Sequence, residues 1–238
     1  MLNSVFVKKY QASELPPVNR EEALRYAGNK GQEESVADLM DRCVLECESD
    51  LEYKVCYLRT DLEVDGDRIR FPFGEIVSKH LSKNLRDCRE AVLFGATIGI
   101  EIDRLIAKNT MLSPAKSVCL QGIGAERIET LCDGFNDWIR EEEKKKGYTT
   151  RPRFSPGYGD FSLEDQKLFF HVLDCNRKIG LTLNESMLMS PSKSVTAIIG
   201  IKGKAPVEEA GCYEETGDKE KKNEKCSNCE KKECVFRK

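Results

Sequence analysis

A helical period of apolar residues dominates the middle of the chain, from about Ala115 to Lys146. Its members recur at three- or four-residue steps, which places side chains on one face of an α-helix. They are Gly124, Ile128, Leu131, Phe135 and Trp138. Gly122 and Gly124 lie inside this period, so we interpret them as points of close packing rather than as a phosphate-binding loop. The charged run Glu141–Lys145 is interpreted as a solvated helix end.

A second apolar segment, AVLFGATI from Ala91 to Ile98, is short and almost wholly apolar. This pattern predicts a buried β-strand that leads through Gly99 into a helix over 101–108. Gly95 and Gly99 do not complete the G-x-G-x-x-G fingerprint, and no clear βαβ unit follows. A dinucleotide-binding fold is therefore rejected.

The chain before this strand predicts a helix, a hairpin and a second helix. Apolar residues at helical spacing predict an amphipathic helix over 33–47. Strand-forming residues over 52–60, the turn dipeptide Asp65-Gly66 and the segment 68–71 predict a β-hairpin. The second helix is predicted over 75–85, after Pro72.

The last third of the chain returns to strands. Ser162 is predicted to cap a helix that begins near Leu163, and strands are predicted over 179–183 and 194–201. The hairpin and these late strands do not form regular βαβ repeats. We therefore predict an α+β fold, a single domain over residues 1–207 in which helices flank a twisted antiparallel sheet.

Two pairs of residues have the i, i+4 spacing of a metal-binding pair on a helix. Cys43 and Cys47 lie on the apolar face of the first predicted helix, and His171 and Cys175 lie after Ser162. Small apolar cysteines are common in cores, so we favour core positions for these cysteines over metal ligation. A half-exposed helix position is likewise favoured for His80.

Composition limits the classes of partner. The 38 basic and 41 acidic side chains give a net charge of -3, so no overall basic field favours nucleic acid. No run approaches the roughly 18 apolar residues that span a bilayer, and the first residues lack a long apolar segment. We expect a cytoplasmic protein whose eleven cysteines are reduced thiols.

The composition changes after Pro206. Residues 208–225 are rich in Glu and Lys, which predicts a charged linker, and residues 226–238 form a Cys-rich tail. The candidate metal ligands there are Cys212, Cys226, Cys229 and Cys234. Three or four thiolates could hold tetrahedral zinc or an iron–sulfur cluster, but the same spacing also suits a redox dithiol or a tail that binds nothing.

The segment RFSPGY, Arg153 to Tyr158, carries the candidate binding residues. Arg153 offers a guanidinium suited to a carboxylate, and Pro156-Gly157 forms a turn at which a ligand can approach the backbone. Tyr158 adds a flat apolar face with a hydroxyl. Taken alone, these residues describe a structural turn with an exposed arginine equally well.

The block from Arg151 to Val195 resembles the activation domain of cobalamin-dependent methionine synthase. That family has an R-P/F-x-P-G-Y turn, then a helix, then I-G-x-x-L-T-E-S-x-x-M-x-P-x-x-S-V. The order and spacing agree with this chain, and ATIGIEIDRL and LQGIGAERIETLCD also resemble the family's middle segment, so the resemblance covers about Ala91 to Ile201.

The resemblance implies that the chain binds S-adenosylmethionine. Arg153 would pair with the methionine carboxylate, Ser155 and Gly157 would offer backbone contacts, and Tyr158 would line the pocket. Glu185, which matches the family's T-E-S glutamate, would support the loop or balance the sulfonium charge.

It also implies an accessory subunit rather than an independent catalyst. The partner would be a separately encoded, cobalamin-binding methionine synthase that lacks its own activation domain, and a flavodoxin-like or other donor would supply an electron. Cobalamin would be bound by that partner. The alternatives are a redox, metal- or iron–sulfur-dependent reactivator of another corrinoid protein and a scaffold for a methyltransferase complex.

Two departures from the family pattern bear on affinity. Where the family continues with S-V-S-G and an aromatic segment that gives the ligand a further tyrosine, this chain reads SVTAIIGI over 194–201. The resemblance therefore implies no such tyrosine here. Glu14 and Asp38 are candidates for the family's N-terminal acidic ligand to the amino group.

Overall fold

The computed structural model describes residues 4–28 and 34–203. Seven α-helices and ten strands alternate irregularly along these residues. The helices are α1 (Arg20–Tyr26), α2 (Glu34–Cys47), α3 (Lys79–Asn84), α4 (Glu101–Leu112), α5 (Pro114–Lys145), α6 (Gln166–Leu173) and α7 (Cys175–Ile179). The strands are β1 (Phe6–Tyr10), β2 (Tyr53–Asp61), β3 (Glu63–Asp65), β4 (Arg68–Phe71), β5 (Gly74–Val77), β6 (Cys88–Thr97), β7 (Thr149–Thr150), β8 (Thr182–Leu183), β9 (Met189–Ser190) and β10 (Ser194–Lys202).

The apolar strand predicted over 91–98 is the centre of the main sheet. The strand order is β1-β2-β6-β10-β7, and every pairing is antiparallel. Leu93 of β6 lies opposite Leu58 of β2 and Ile198 of β10. Both faces of β6 are buried, which explains why its sequence is continuously apolar rather than alternating.

Helices cover both faces of this sheet. Helices α1, α2, α4 and α5 contribute to the core on one face, and α3, α6 and α7 contribute to the core on the other. The predicted α+β fold, with an antiparallel sheet flanked by helices, is confirmed. Cys43 and Cys47 of α2 are buried in the first core, as favoured from the sequence.

The glycines of α5 are packing positions, as predicted. A Cβ atom at Gly122 would lie 2.2 Å from the backbone oxygen of Ala23 in α1. A Cβ atom at Gly124 would lie 3.0 Å from side-chain carbons of Lys193. Both glycines therefore let another part of the chain approach α5 closely.

The predicted hairpin is correct at its turn and wrong in its first strand. Asp65 pairs with Arg68 across the turn, but the partner of β4 is the short β3, whereas β2 pairs with β1 and β6. The second helix is also shorter than predicted, because Gly74–Val77 forms β5 against β4. Ser78 then caps α3 through its hydroxyl, which accepts the N–H of Leu81.

The helix predicted after Ser162 is broken into three pieces. Leu163–Asp165 is a 3-10 turn, α6 follows it, and Asp174 at φ 50° separates α6 from α7. His171 and Cys175 therefore lie on different helices, with Cys175 buried and His171 exposed. Only Thr182–Leu183 of the predicted strand 179–183 is extended, because α7 continues to Ile179.

Candidate functional site

The segment that leads into the RFSPGY turn follows β7 along the side of β10 opposite to β6. The backbone N–H of Arg151 donates to the Gly200 oxygen at 2.8 Å, and Phe154 and Ile198 exchange two hydrogen bonds of 2.9 Å. The Phe154 ring stacks on Phe161 in the core beneath α6. Adjacent side chains of an extended segment point to opposite sides, and Arg153 is directed towards α5.

Arg153 is held by two carboxylates of α5. Its Nη1 donates to Oδ1 of Asp133 and its Nη2 to Oε2 of Glu129, each at 2.6 Å. The Arg153 side chain is 16% exposed, whereas those of Glu129 and Asp133 are 41% and 58% exposed. A largely buried guanidinium therefore presents both of its terminal nitrogens to solvent-accessible oxygen atoms one helical turn apart.

The turn itself is closed by three backbone hydrogen bonds. Tyr158 N–H donates to the Ser155 oxygen at 3.2 Å, Phe161 N–H to the Tyr158 oxygen at 3.0 Å, and Gly157 N–H to the Phe161 oxygen at 2.8 Å. Gly157 at φ 90° and Gly159 at φ 58° adopt left-handed conformations that favour glycine. These two glycines therefore allow the chain to reverse its direction within seven residues.

Asp160 fixes the turn to the start of α3. Its carboxylate accepts hydrogen bonds from the Ser78 hydroxyl at 2.6 Å, from the Lys79 N–H at 2.8 Å and from the His80 N–H at 3.0 Å. Burial alone would raise the pKa of Asp160, but these hydrogen bonds outweigh it and lower the pKa to about 2. Asp160 is thus an ionised clamp between the turn and a helix that is distant in sequence.

The other predicted ligand contacts have differing environments. Ser155 is half-buried, Gly157 is exposed, and Tyr158 is 65% exposed. The Gly157 N–H donates to the Phe161 oxygen within the turn. Backbone contacts between the turn and a ligand would therefore use other backbone atoms. Glu185 is exposed in the β8–β9 loop, where Asn184 Oδ1 accepts the N–H groups of Ser186 and Leu188 at 2.9 Å. The role of Glu185 towards a ligand stays a prediction.

Two candidate ligand-binding residues, Glu129 and Asp133, were not identified from the sequence, and the roles of Glu14 and Asp38 towards a ligand stay predictions. Glu129 and Asp133 share one face of α5 at an i, i+4 spacing, a signal that exposed acidic residues of any helix also give. Glu14 accepts the N–H of Gln11 at 2.6 Å, and Asp38 is exposed on α2. The carboxylates that contact Arg153 are those of α5.

The predicted metal site lies outside the residues that the structure describes. Its ligands Cys212, Cys226, Cys229 and Cys234 are all beyond residue 203, as are the predicted linker and the tail. Within residues 4–28 and 34–203, no group of three or more His, Cys, Asp or Glu side chains is arranged to hold a metal ion. Over the same ranges, no helix has the length and apolar character needed to cross a membrane.

The fold and the turn together define an α+β domain with an arginine–carboxylate cluster beside the edge of its main sheet. No protein-family model and no curated protein matches the chain. Among solved structures, the chain is similar to a crystal structure described as the MetH reactivation domain bound to AdoHcy. The TM-score is 0.56 at 15% identity, over 83% of this chain and 78% of the other. At this identity the likeness shows that the two share a fold.

Proposed function

We propose that this chain binds S-adenosylmethionine at the Arg153–Tyr158 turn and presents its methyl group to a corrinoid held by another protein. The observation that carries the proposal is the cluster of Arg153 with Glu129 and Asp133, which lies within the range from Ala91 to Ile201 that resembles an activation domain. The fold is that of a reactivation domain crystallised with AdoHcy, which is S-adenosylmethionine without the transferable methyl group.

The charged groups of the Arg153 cluster are complementary to the amino-acid end of this ligand. That end is a zwitterion, with a carboxylate and an ammonium group on one carbon atom. The Arg153 guanidinium can bind the carboxylate through a charge-assisted pair, and the oxygen atoms of Glu129 and Asp133 can accept the ammonium hydrogens. Both acids are accessible, so they can exchange an Arg153 hydrogen bond for one to the ligand.

The turn supplies the remaining features of the proposed site. Tyr158 is exposed beside the backbone turn, and its aromatic face suits the sulfonium cation or the adenine ring. The Ser155 oxygen accepts one hydrogen bond within the turn and retains a second lone pair for a ligand. Glu185 supports the neighbouring loop or balances the sulfonium charge in this proposal.

In this proposal the chain positions the ligand, and no residue of the chain acts as a general acid or base. Reduced cobalamin, bound by the partner, supplies the nucleophile, and the sulfonium carries its own leaving group. The residues of this chain bind the ligand, orient its methyl group and limit competing reactions. The proposed partner is a separately encoded methionine synthase without an activation domain, and a flavodoxin-like or other donor supplies the electron.

Titration calorimetry with S-adenosylmethionine tests the binding step. We expect measurable heat and a rise in melting temperature at about millimolar ligand, with S-adenosylhomocysteine competing for the same site. No heat together with no thermal stabilisation would refute the proposal. Addition of this chain to an oxidised, cobalamin-loaded methionine synthase fragment, with reductant, then tests whether remethylation depends on it.

A further inference from the structure

Two buried cysteines from different parts of the chain lie side by side in the core on one face of the main sheet. Cys56 lies in β2 and Cys175 begins α7, 119 positions apart in the sequence. Their Sγ atoms are 3.8 Å apart, and both side chains are fully buried. All seven cysteines of the described ranges are free thiols, so this pair is a reduced dithiol.

Gly95 keeps the space between the two sulfur atoms open. It pairs with Cys56 across β2 and β6, and a Cβ atom there would lie 3.1 Å from Cys175 Sγ and 3.5 Å from Cys56 Sγ. A disulfide holds its sulfur atoms at about 2.05 Å, so bond formation requires only a small approach of the two side chains. The missing side chain at Gly95 leaves room for that approach.

We propose that Cys56 and Cys175 form a redox-active dithiol that a peroxide converts to a disulfide linking β2 to α7. Helix α7 is only five residues long and lies between the left-handed residues Asp174 and Gly180. A unit this short can be displaced locally without unfolding the sheet, which gives a small oxidant access to the sulfur atoms.

The reaction balances with one peroxide per disulfide. The Cys56 thiolate attacks one peroxide oxygen, the O–O bond breaks, and the departing hydroxide takes up a proton to form water. The Cys175 sulfur then attacks the resulting sulfenic acid, the S–S bond forms, and a second water leaves. The two thiols together lose two electrons and two protons, and the peroxide is reduced to two water molecules.

Acidity distinguishes Cys56 from the other buried cysteines. The hydrogen bond from Cys175, with help from backbone groups at Gly95 and Cys56, lowers the pKa of Cys56 despite its burial. Burial raises the pKa of Cys43 to about 11 and also raises that of its neighbour Cys119. We therefore expect Cys56 to react first, since the thiolate is the nucleophile.

The test is peroxide oxidation of the folded chain, followed by alkylation in denaturant and peptide mapping. The full chain is used with Cys212, Cys226, Cys229 and Cys234 replaced by Ser, so that these thiols cannot take part. We expect a linked peptide pair containing Cys56 and Cys175, lighter than the two free peptides by two hydrogens and separated by dithiothreitol. It should form at least about tenfold faster than any Cys43–Cys119 link.

Two variants serve as controls, each checked for its fold by circular dichroism. Cys132→Ser removes a buried thiol that interacts electrostatically with Arg153, and the Cys56–Cys175 link should persist. Cys175→Ser removes the resolving thiol, and Cys56 sulfenic acid should then be trapped by dimedone. Recovery of both Cys56 and Cys175 as alkylated thiols from peroxide-treated wild-type protein, or a link between other cysteines of the core, would overturn the proposal.

Discussion

Arg153 donates a 2.6 Å hydrogen bond to Glu129, a residue 24 positions earlier on α5. A second hydrogen bond of the same length joins Arg153 to Asp133. The positive charge of a largely buried guanidinium is thereby offset by two carboxylates that remain accessible. Such a cluster is ordered before any ligand arrives, which reduces the side-chain entropy that binding would otherwise cost.

Removal of the guanidinium should weaken ligand binding. For Arg153→Ala we expect S-adenosylmethionine affinity to fall by about 1.5 to 3 kcal/mol, the usual range for a lost charge-assisted hydrogen bond. Calorimetry at constant ionic strength measures this loss. Arg140→Ala is the matched control, because Arg140 is an exposed arginine of α5 that pairs with Asp137, and its affinity should equal that of wild type.

Neutralising the two acids should weaken binding through the ligand's ammonium group. We expect Glu129→Gln/Asp133→Asn to lower S-adenosylmethionine affinity by about tenfold or more, since amide groups replace charged acceptors. Asp137→Asn/Glu141→Gln changes the same residue types at the same spacing further along α5. Equal affinities for the two double variants would exclude Glu129 and Asp133 from the site.

The sequence predicted the core elements better than it predicted the contacts of the site. The strand at 91–98 and the helix at 115–146 were recognisable because apolar periodicity reports burial directly. Residues 74–77 were predicted in part as helix, because a four-residue segment cannot reveal that β4 lies beside it. Arg153 was identified from its motif, but its partners depend on how α5 packs against the edge of the sheet, which no local pattern encodes.

The clamp formed by Asp160 should make the turn sensitive to acid. Its pKa is about 2 in the folded chain and about 3.9 in the unfolded chain, so the stabilisation it provides is complete above about pH 4 and is lost as the pH falls towards 2. We expect Asp160→Asn to melt below wild type at pH 6, with the difference shrinking across that window. Melting curves at several pH values measure it, and a difference that is constant with pH would contradict the role.

The C-terminal cysteines are predicted to bind a zinc ion or an iron–sulfur cluster. We expect about one zinc ion, or one iron–sulfur cluster with visible absorption, per chain after anaerobic purification. Cys226→Ser/Cys229→Ser should lose the metal, whereas Cys43→Ala/Cys47→Ala, which alters a pair buried in the core, should keep it. Colourless, metal-free wild-type protein would favour the redox-dithiol interpretation or a tail that binds nothing.

Gly159 offers a way to measure how closely the turn must approach α3. A Cβ atom there would lie 2.5 Å from Nδ1 and 3.0 Å from Cγ of the His80 ring, and the residue has φ 58°. Gly66 has almost the same conformation, φ 59°, but a Cβ atom at Gly66 would meet nothing within 4 Å. Both alanine variants therefore incur a left-handed backbone cost of about 1 to 2 kcal/mol, but only Gly159→Ala also displaces His80.

The difference between these variants isolates the contact between the turn and α3. We expect Gly159→Ala to unfold at lower denaturant concentration than Gly66→Ala, by roughly 1 to 3 kcal/mol in free energy of unfolding. Because the turn must shift to accommodate the new methyl group, Gly159→Ala should also lose affinity for S-adenosylmethionine, whereas Gly66→Ala should retain it. Equal stability of the two variants would mean that His80 moves aside freely and that the position of the turn does not depend on this contact.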